Sequence, residues 1–118
     1  EILQDLSRKY TLVIASNAPR TFIEKELTST GLKPHFAHLI SATSDYGMVK
    51  KEEAFYRRVC NHLSINASDL VHIGDNKIFD YDVPSAIGVE AYLLAGEQKD
   101  DLSGIRTIRH LDELRERL

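Results

Sequence analysis

Branched apolar residues recur along the chain in two ways, as short runs of four or five and as stripes at threefold and fourfold spacing, and their alternation sets the expected order of elements. Ile2, Leu3 and Leu6 stand among charged and polar residues over Glu1–Tyr10, as in the last turns of an amphipathic helix. Thr11–Ala15 (Thr-Leu-Val-Ile-Ala) fits a strand covered on both faces and is ended by Ser16 and Asn17. Pro19 takes a natural first helical position behind Asn17 or Ala18 as cap, and Phe22, Ile23 and Leu27 then form an apolar stripe that stops at Gly31. A second strand is expected at His38–Ala42 and a polar loop at Thr43–Val49 around Gly47. A helix follows at about Lys51–Leu63, with Phe55, Val59 and Leu63 on one face. Asn66–Asp69 turns the chain into Leu70–Ile73, which reads as a buried strand carrying Gly74 and Asp75 at its end. Asp80–Gly88 reads as a short helix closed by glycine and Val89–Leu94 as the next strand. A loop rich in Gly, Asp and Ser follows Leu94, then a weak strand at Ile105–Ile108 and a last helix at Asp112–Leu118.

Strands and helices that alternate over about five strands predict an α/β fold with a doubly wound, mainly parallel sheet and right-handed crossovers. Ligands of such folds collect at the carboxyl ends of the strands. Ser16, Lys50, Asp75 and Asp80 are all expected there, so that a hydroxyl, an ammonium and two carboxylates converge.

Composition narrows the function classes. At 118 residues the chain is one domain at most, and 42% hydrophobic with 28% charged residues fits an ordinary globular domain. Fifteen basic residues are outnumbered by eighteen acidic ones, a formal charge of −3, which argues against nonspecific DNA or RNA binding. Cys60 is the single cysteine, so no internal disulfide can form, and buried packing is its expected role. With no apolar run long enough to span a bilayer and no signal-peptide pattern, a reducing, cytoplasmic setting is expected.

The candidate chemistry is phosphoryl transfer, where positioning and electrostatics dominate. Ser16 would donate its hydroxyl to a phosphate oxygen, beside backbone amides at the start of the helix near Pro19, and Lys50 would offset phosphate charge. Asp75, with Asp80 five residues on, would hold Mg²⁺, which takes one or two protein carboxylates and keeps waters and substrate oxygens. Each residue also has a structural alternative. Ser16 and Asn17 could cap the following helix. Lys50 and Lys51 could be a solvated pair, although positive charge is unfavourable at a helix start. Asp82 fits an exposed first-turn acid, and His72 a satisfied core histidine.

Thr11–Pro19 (TLVIASNAP), Gly47-Met-Val-Lys50 leading into Glu53–Tyr56, and Val71–Asp80 (VHIGDNKIFD) with Gly88 behind it resemble the haloacid dehalogenase (HAD) superfamily. The resemblance runs through nearly the whole chain and covers three of that family's four motifs in order. It implies a Rossmann-like core in which Ser16, with Asn17 beside it, binds phosphate and Lys50 is the third-motif lysine. It implies Asp75 as the metal-binding acid and Asp80 as its companion. Lys51 is the fallback for Lys50, because the family often has proline where Lys51 stands.

The family's first motif, two aspartates that supply the nucleophile and the general acid and base, has no counterpart here. Asp80 and Asp82 share its spacing but follow the metal motif, so the nucleophile is not assigned to them. The resemblance therefore implies a partial domain, the C-terminal part of a longer protein. Its first strand, central in the family's sheet between the strands ending at Ser16 and Asp75, and its cap would lie upstream of Glu1. About 33 residues between Ser16 and Lys50 leave no room for a cap. A sheet without its central strand has open edges that invite self-association or pairing with the absent segment.

The expected function is a Mg²⁺-dependent phosphomonoesterase acting on a small phosphorylated metabolite through an aspartyl phosphate, with the isolated chain inactive for lack of the nucleophile. A dehalogenase of the same superfamily is less favoured because halide displacement needs no metal. The rival from another class is a noncatalytic phosphate- and metal-binding or assembly module. A receiver-like domain would need an early acidic cluster on the first strand, and Asp5 falls in a helix instead.

Overall fold

The computed structural model describes residues 2–95 and 104–118. The chain falls into two compact units, Glu1–Lys50 and Lys51–Leu118.

In the first unit, α1 (Ile2–Ser7) buries Ile2 and Leu6, and β1 (Val13–Ser16) runs parallel to β2 (His38–Ser41) with Val13 opposite His38 and Ser16 opposite Ser41. Between the strands lies α2 (Arg20–Thr30), ended by Gly31 in the left-handed conformation at φ 73°, where a side chain would be strained. Pro19, placed one residue inside this helix by the sequence pattern, is instead its N-cap, with extended backbone and no side-chain cap. Ile23 and Leu27 are buried as expected, whereas Phe22, counted in the same stripe, is 62% exposed. The expected loop at Thr43–Val49 begins as a further short helix, α3 (Ala42–Tyr46). Its cause is local: Ser41 Oγ accepts from the Ser44 amide at 3.0 Å, and Gly47 closes the turn at φ 64°.

In the second unit, α4 (Glu53–Leu63) buries Phe55, Tyr56, Val59 and Cys60. Ser64 stops it at φ 57°, in the left-handed region. A three-stranded parallel sheet follows in the order β3 (Val71–Gly74), β4 (Glu90–Leu94), β5 (Thr107–Ile108), with Gly74 opposite Leu93 and Leu93 opposite Thr107. The expected helix Asp80–Gly88 is in fact a π-helical turn, Lys77–Asp82, running into α5 (Val83–Ala86). The last helix is a 3₁₀ turn, Leu111–Glu113, leading into α6 (Leu114–Arg117). The Gly-, Asp- and Ser-containing loop after Leu94 lies mainly outside the described residues.

Strand burial differs from the sequence expectation. β4, flanked by two strands, buries Ala91, Tyr92 and Leu93, whereas every residue of β1 and β3 is half-buried. Among the described residues, β1 and β3 each have one ladder partner. No helix among the described residues is long and apolar enough to cross a membrane.

Candidate functional site

Each unit carries a polar loop at the carboxyl end of a parallel strand. In the first unit this is Ser16–Pro19. Ser16 Oγ accepts from the Ala18 amide at 3.1 Å, so the hydroxyl shapes its own loop and leaves the capping of α2 to the Pro19 backbone. Hydroxyls at and just after the end of β2 hold this loop: Ser41 Oγ donates to the Ala18 carbonyl at 2.6 Å and Thr43 Oγ1 to the Asn17 carbonyl at 2.5 Å. Ser44 Oγ accepts the Arg20 amide at 2.9 Å. The Arg20 guanidinium donates to the Leu39 carbonyl at 2.9 Å and to Asp45, whose carboxylate also takes the Ser41 amide at 2.8 Å. The hydrogen bond to Asp45 holds the Arg20 pKa above its usual value, against the opposing effect of burial. Ser16 is half-buried, and Asn17 and Lys50 are exposed.

In the second unit, β3 ends at Gly74, Asp75 is exposed to solvent, and the chain then folds back through the π-helical turn. Asn76 organises the return. Its side chain accepts from the Phe79 amide at 2.9 Å and its carbonyl from the Asp80 amide at 2.8 Å. The Asp80 carboxylate comes to rest on Gly74, where a β-carbon would lie 2.2 Å from Asp80 Cγ. Gly74 has no left-handed backbone, so glycine is needed here for close approach and not for its dihedrals.

Asp80 is 2% exposed and both its oxygens are engaged. Oδ1 meets Lys51 Nζ at 2.6 Å and His72 Nε2 at 2.9 Å, and Oδ2 accepts the Asn76 amide at 3.0 Å. Burial works against its charged form. The hydrogen bonds from His72, Lys51 and the Asn76 amide outweigh that and hold the carboxyl well below the usual carboxylate range. Tyr56 closes the cluster: its hydroxyl donates to the Phe79 carbonyl at 2.5 Å, and its ring meets His72 edge-on at 5.0 Å and 77°. Burial, then the negative charge of Asp80, pushes the Tyr56 phenol far above its ordinary pKa, so it is a fixed donor.

The sequence-predicted residues thus take distinct places. The structure brings Lys51, the alternative to Lys50, together with Asp80. Asp75 is exposed, and a carboxylate is a hard oxygen donor of the kind Mg²⁺ accepts beside water and substrate oxygens. Asp80 reaches its surroundings through Lys51, His72 and the Asn76 amide. Asp82 is exposed, as expected, and pairs with Lys77 at 3.0 Å. Sequence reasoning placed His72 in the core but missed its partner. The signal was present in the strand period, because His72 and Gly74 face the same side of β3, so a side chain lying on one meets the other. The pattern of Ser41, Thr43 and Ser44 gave no comparable signal, since their targets lie more than twenty residues away.

The pattern of haloacid dehalogenase-like hydrolases matches residues 1–88, three quarters of the chain. The chain belongs to this family. Among curated HAD relatives it is 30% identical over 111 residues to haloacid dehalogenase-like hydrolase domain-containing protein 3 of Danio rerio, covering 89% of this chain and 44% of that protein. The Mus musculus protein of the same name is 28% identical over 94 residues, covering 80% and 37%. The chain therefore spans less than half the length of these relatives. Among solved structures, the HAD hydrolase YfnB of Bacillus subtilis, bound to magnesium, superposes with a TM-score of 0.88 at 23% identity over 99% of this chain and 53% of its own. A HAD phosphatase from Thermococcus onnurineus gives 0.84 at 24% identity over 98% and 54%. These superpositions identify the fold as the Rossmann-like HAD core, present here in about half the length of those chains.

Proposed function

We propose that this HAD chain is one partial domain of a Mg²⁺-dependent phosphomonoesterase that acts on a small phosphorylated metabolite. The observation that carries the reading is the pairing of Lys51 with the buried Asp80 at 2.6 Å, Asp80 standing five residues after the exposed Asp75 that follows β3. A cation on Asp75 would neutralise phosphate charge as it develops. Asp75 would hold it, and Asp80, kept ionised and buried, would steady Lys51 and the Asn76 amide. Lys51 supplies positive charge for the transferring group, the role the sequence gave first to Lys50. Ser16 and Asn17 would bind phosphate from the loop after β1, whose shape is set by Ser41 and Thr43.

Transfer through an aspartyl phosphate needs a carboxylate nucleophile. Asp75 would be taken up by the cation and Asp80 is held by its three donors, so the reading takes the nucleophile from outside these 118 residues. Within its own unit each of β1 and β3 has one ladder partner among the described residues, an open edge that favours strand pairing or self-association. The single buried cysteine and the acidic charge balance fit a cytoplasmic enzyme that binds neither nucleic acid nor membranes.

The test is Mg²⁺-dependent hydrolysis of a generic aryl phosphate by the 118-residue chain and by the product of the full reading frame, each with Asp75→Asn. Activity confined to the longer protein and lost on Asp75→Asn is the expected result. Activity of the shorter chain that Asp75→Asn abolishes would refute an external nucleophile, and silence of both would favour a noncatalytic phosphate- and metal-binding or assembly module.

A further inference from the structure

We infer that His72 is a positioning residue which, by sharing Asp80 Oδ1 with Lys51, fixes the direction of the Lys51 ammonium. The kinetic part of this inference rests on the phosphatase reading; the geometric part does not. Lys51 ends in a compact charge on a flexible stem, so its direction depends on what receives it. That receiver is one oxygen of a carboxylate whose terminal torsion is intrinsically broad. Three donors from three places in the chain remove that freedom: Lys51 and His72 on Oδ1, and the Asn76 amide on Oδ2. Without His72, Asp80 could turn about its Cβ–Cγ bond, and Lys51 would turn with it.

The ring of His72 is itself held. Tyr56 meets it edge-on at 5.0 Å, and the Tyr56 hydroxyl is tied to the Phe79 carbonyl, one residue before Asp80. The cluster therefore closes on itself: β3 carries His72, α4 carries Tyr56, and the π-helical turn carries Phe79 and Asp80. Because an ionised carboxylate only accepts, Nε2 must carry the proton it offers to Asp80. A histidine satisfied as generic core packing would have no such requirement.

The experiment uses the product of the full reading frame and has two readouts. In ¹⁵N NMR at neutral pH, Nε2 of His72 should be protonated. The Asn76 amide resonance should shift in His72→Leu and stay near its wild-type position in His72→Gln, whose amide can replace the lost donor. In steady-state hydrolysis of an aryl phosphate with Mg²⁺, His72→Leu should lower kcat by about tenfold or more with a much smaller change in KM, and His72→Gln should restore most of it. Because His72 acts through Lys51, the His72→Leu loss should largely disappear in a Lys51→Met background. An Nε2 without a proton, equal kcat for the Leu and Gln variants, or a His72→Leu loss undiminished beside Lys51→Met would each overturn the inference. If the wild-type protein hydrolyses no phosphate ester, the functional reading fails alone, and the ring nitrogen with the Asn76 amide still decides the role of His72.

Discussion

Replacing Gly74 by alanine separates two views of this glycine by the sign of the effect. Its backbone is not left-handed, so an added methyl meets no dihedral penalty. If conformation were all that mattered, Gly74→Ala would stabilise the protein by about 0.4–1 kcal/mol through the unfolded chain. The structure predicts the opposite. The new methyl would lie 2.2 Å from Asp80 Cγ, 2.3 Å from Oδ2 and 2.6 Å from Cβ, so the carboxylate and the methyl cannot occupy the site together. A shift of Asp80 breaks its contacts with Lys51, His72 and the Asn76 amide at once.

Overpacking alone costs about 1–3 kcal/mol. Separating a buried ion pair costs about 3–5 kcal/mol when one partner is left without its counter-charge. The Lys51 and Asp80 side chains are 14% and 3% exposed, which puts the pair near the buried limit, but Lys51 can turn towards water once released. The expected loss is therefore about 3 kcal/mol, at the lower end of that range. Urea unfolding followed by circular dichroism, with m unchanged, measures it. A double-mutant cycle with Asp80→Gly assigns the cause, because in that background all three colliding atoms are gone and the alanine penalty should fall by more than about half. Gly74→Ala as stable as the parent, or equally damaging beside Asp80→Gly, would refute the close-approach account.

Three further outcomes follow from single contacts. Asp80 has a depressed native pKa, so its contribution is fully present above the unfolded value of about 3.9 and is lost as pH falls through the native value. The difference in Tm between the parent and Asp80→Asn should therefore be constant near neutrality and shrink below about pH 4; a gap independent of pH would contradict it. Ser64 occupies the left-handed C-cap of α4, so Ser64→Gly should raise stability by about 0.5–1 kcal/mol in the same unfolding assay, whereas a loss would mean that the serine side chain stabilises that turn. Ser41 is fully buried, caps α3 and donates to the Ala18 carbonyl, so Ser41→Ala should destabilise by about 1–3 kcal/mol and raise amide exchange in the Ser16–Pro19 loop; unchanged exchange there would show that the loop does not depend on it.

Elements whose cause is local were legible in the sequence. The β-branched runs gave β1 and β3 within two residues, Gly31 gave the end of α2, and the family motifs gave the Rossmann-like HAD core. What escaped has causes outside the window that periodicity can see. α3 is five residues long and is made by a serine cap and a left-handed glycine, too short to show a stripe. The π-helical turn depends on a carboxylate lying over a glycine six residues earlier, which is a tertiary fact. Phe22 fits the stripe of α2 by spacing yet faces outward, because a stripe fixes a face only to within one position at its edge.

The candidate site shows the same division more sharply. Asp75 and Asp80 are the same residue type five positions apart, and the sequence offers both as metal ligands. The structure gives them opposite environments, one exposed at the end of β3, the other buried and held by three donors. Two carboxylates whose surroundings are pushed apart in this way are suited to different tasks. A carboxylate meant to take a cation from solvent must keep its oxygens available, and one meant to hold a lysine must not yield them to water. Gly74 serves both ends of this arrangement, since it ends the strand where Asp75 emerges and leaves the space that Asp80 fills. The Gly-Asp pair followed by a second aspartate is therefore readable as chemistry only with His72 and Lys51 included, because those two side chains decide which of the two acids remains open.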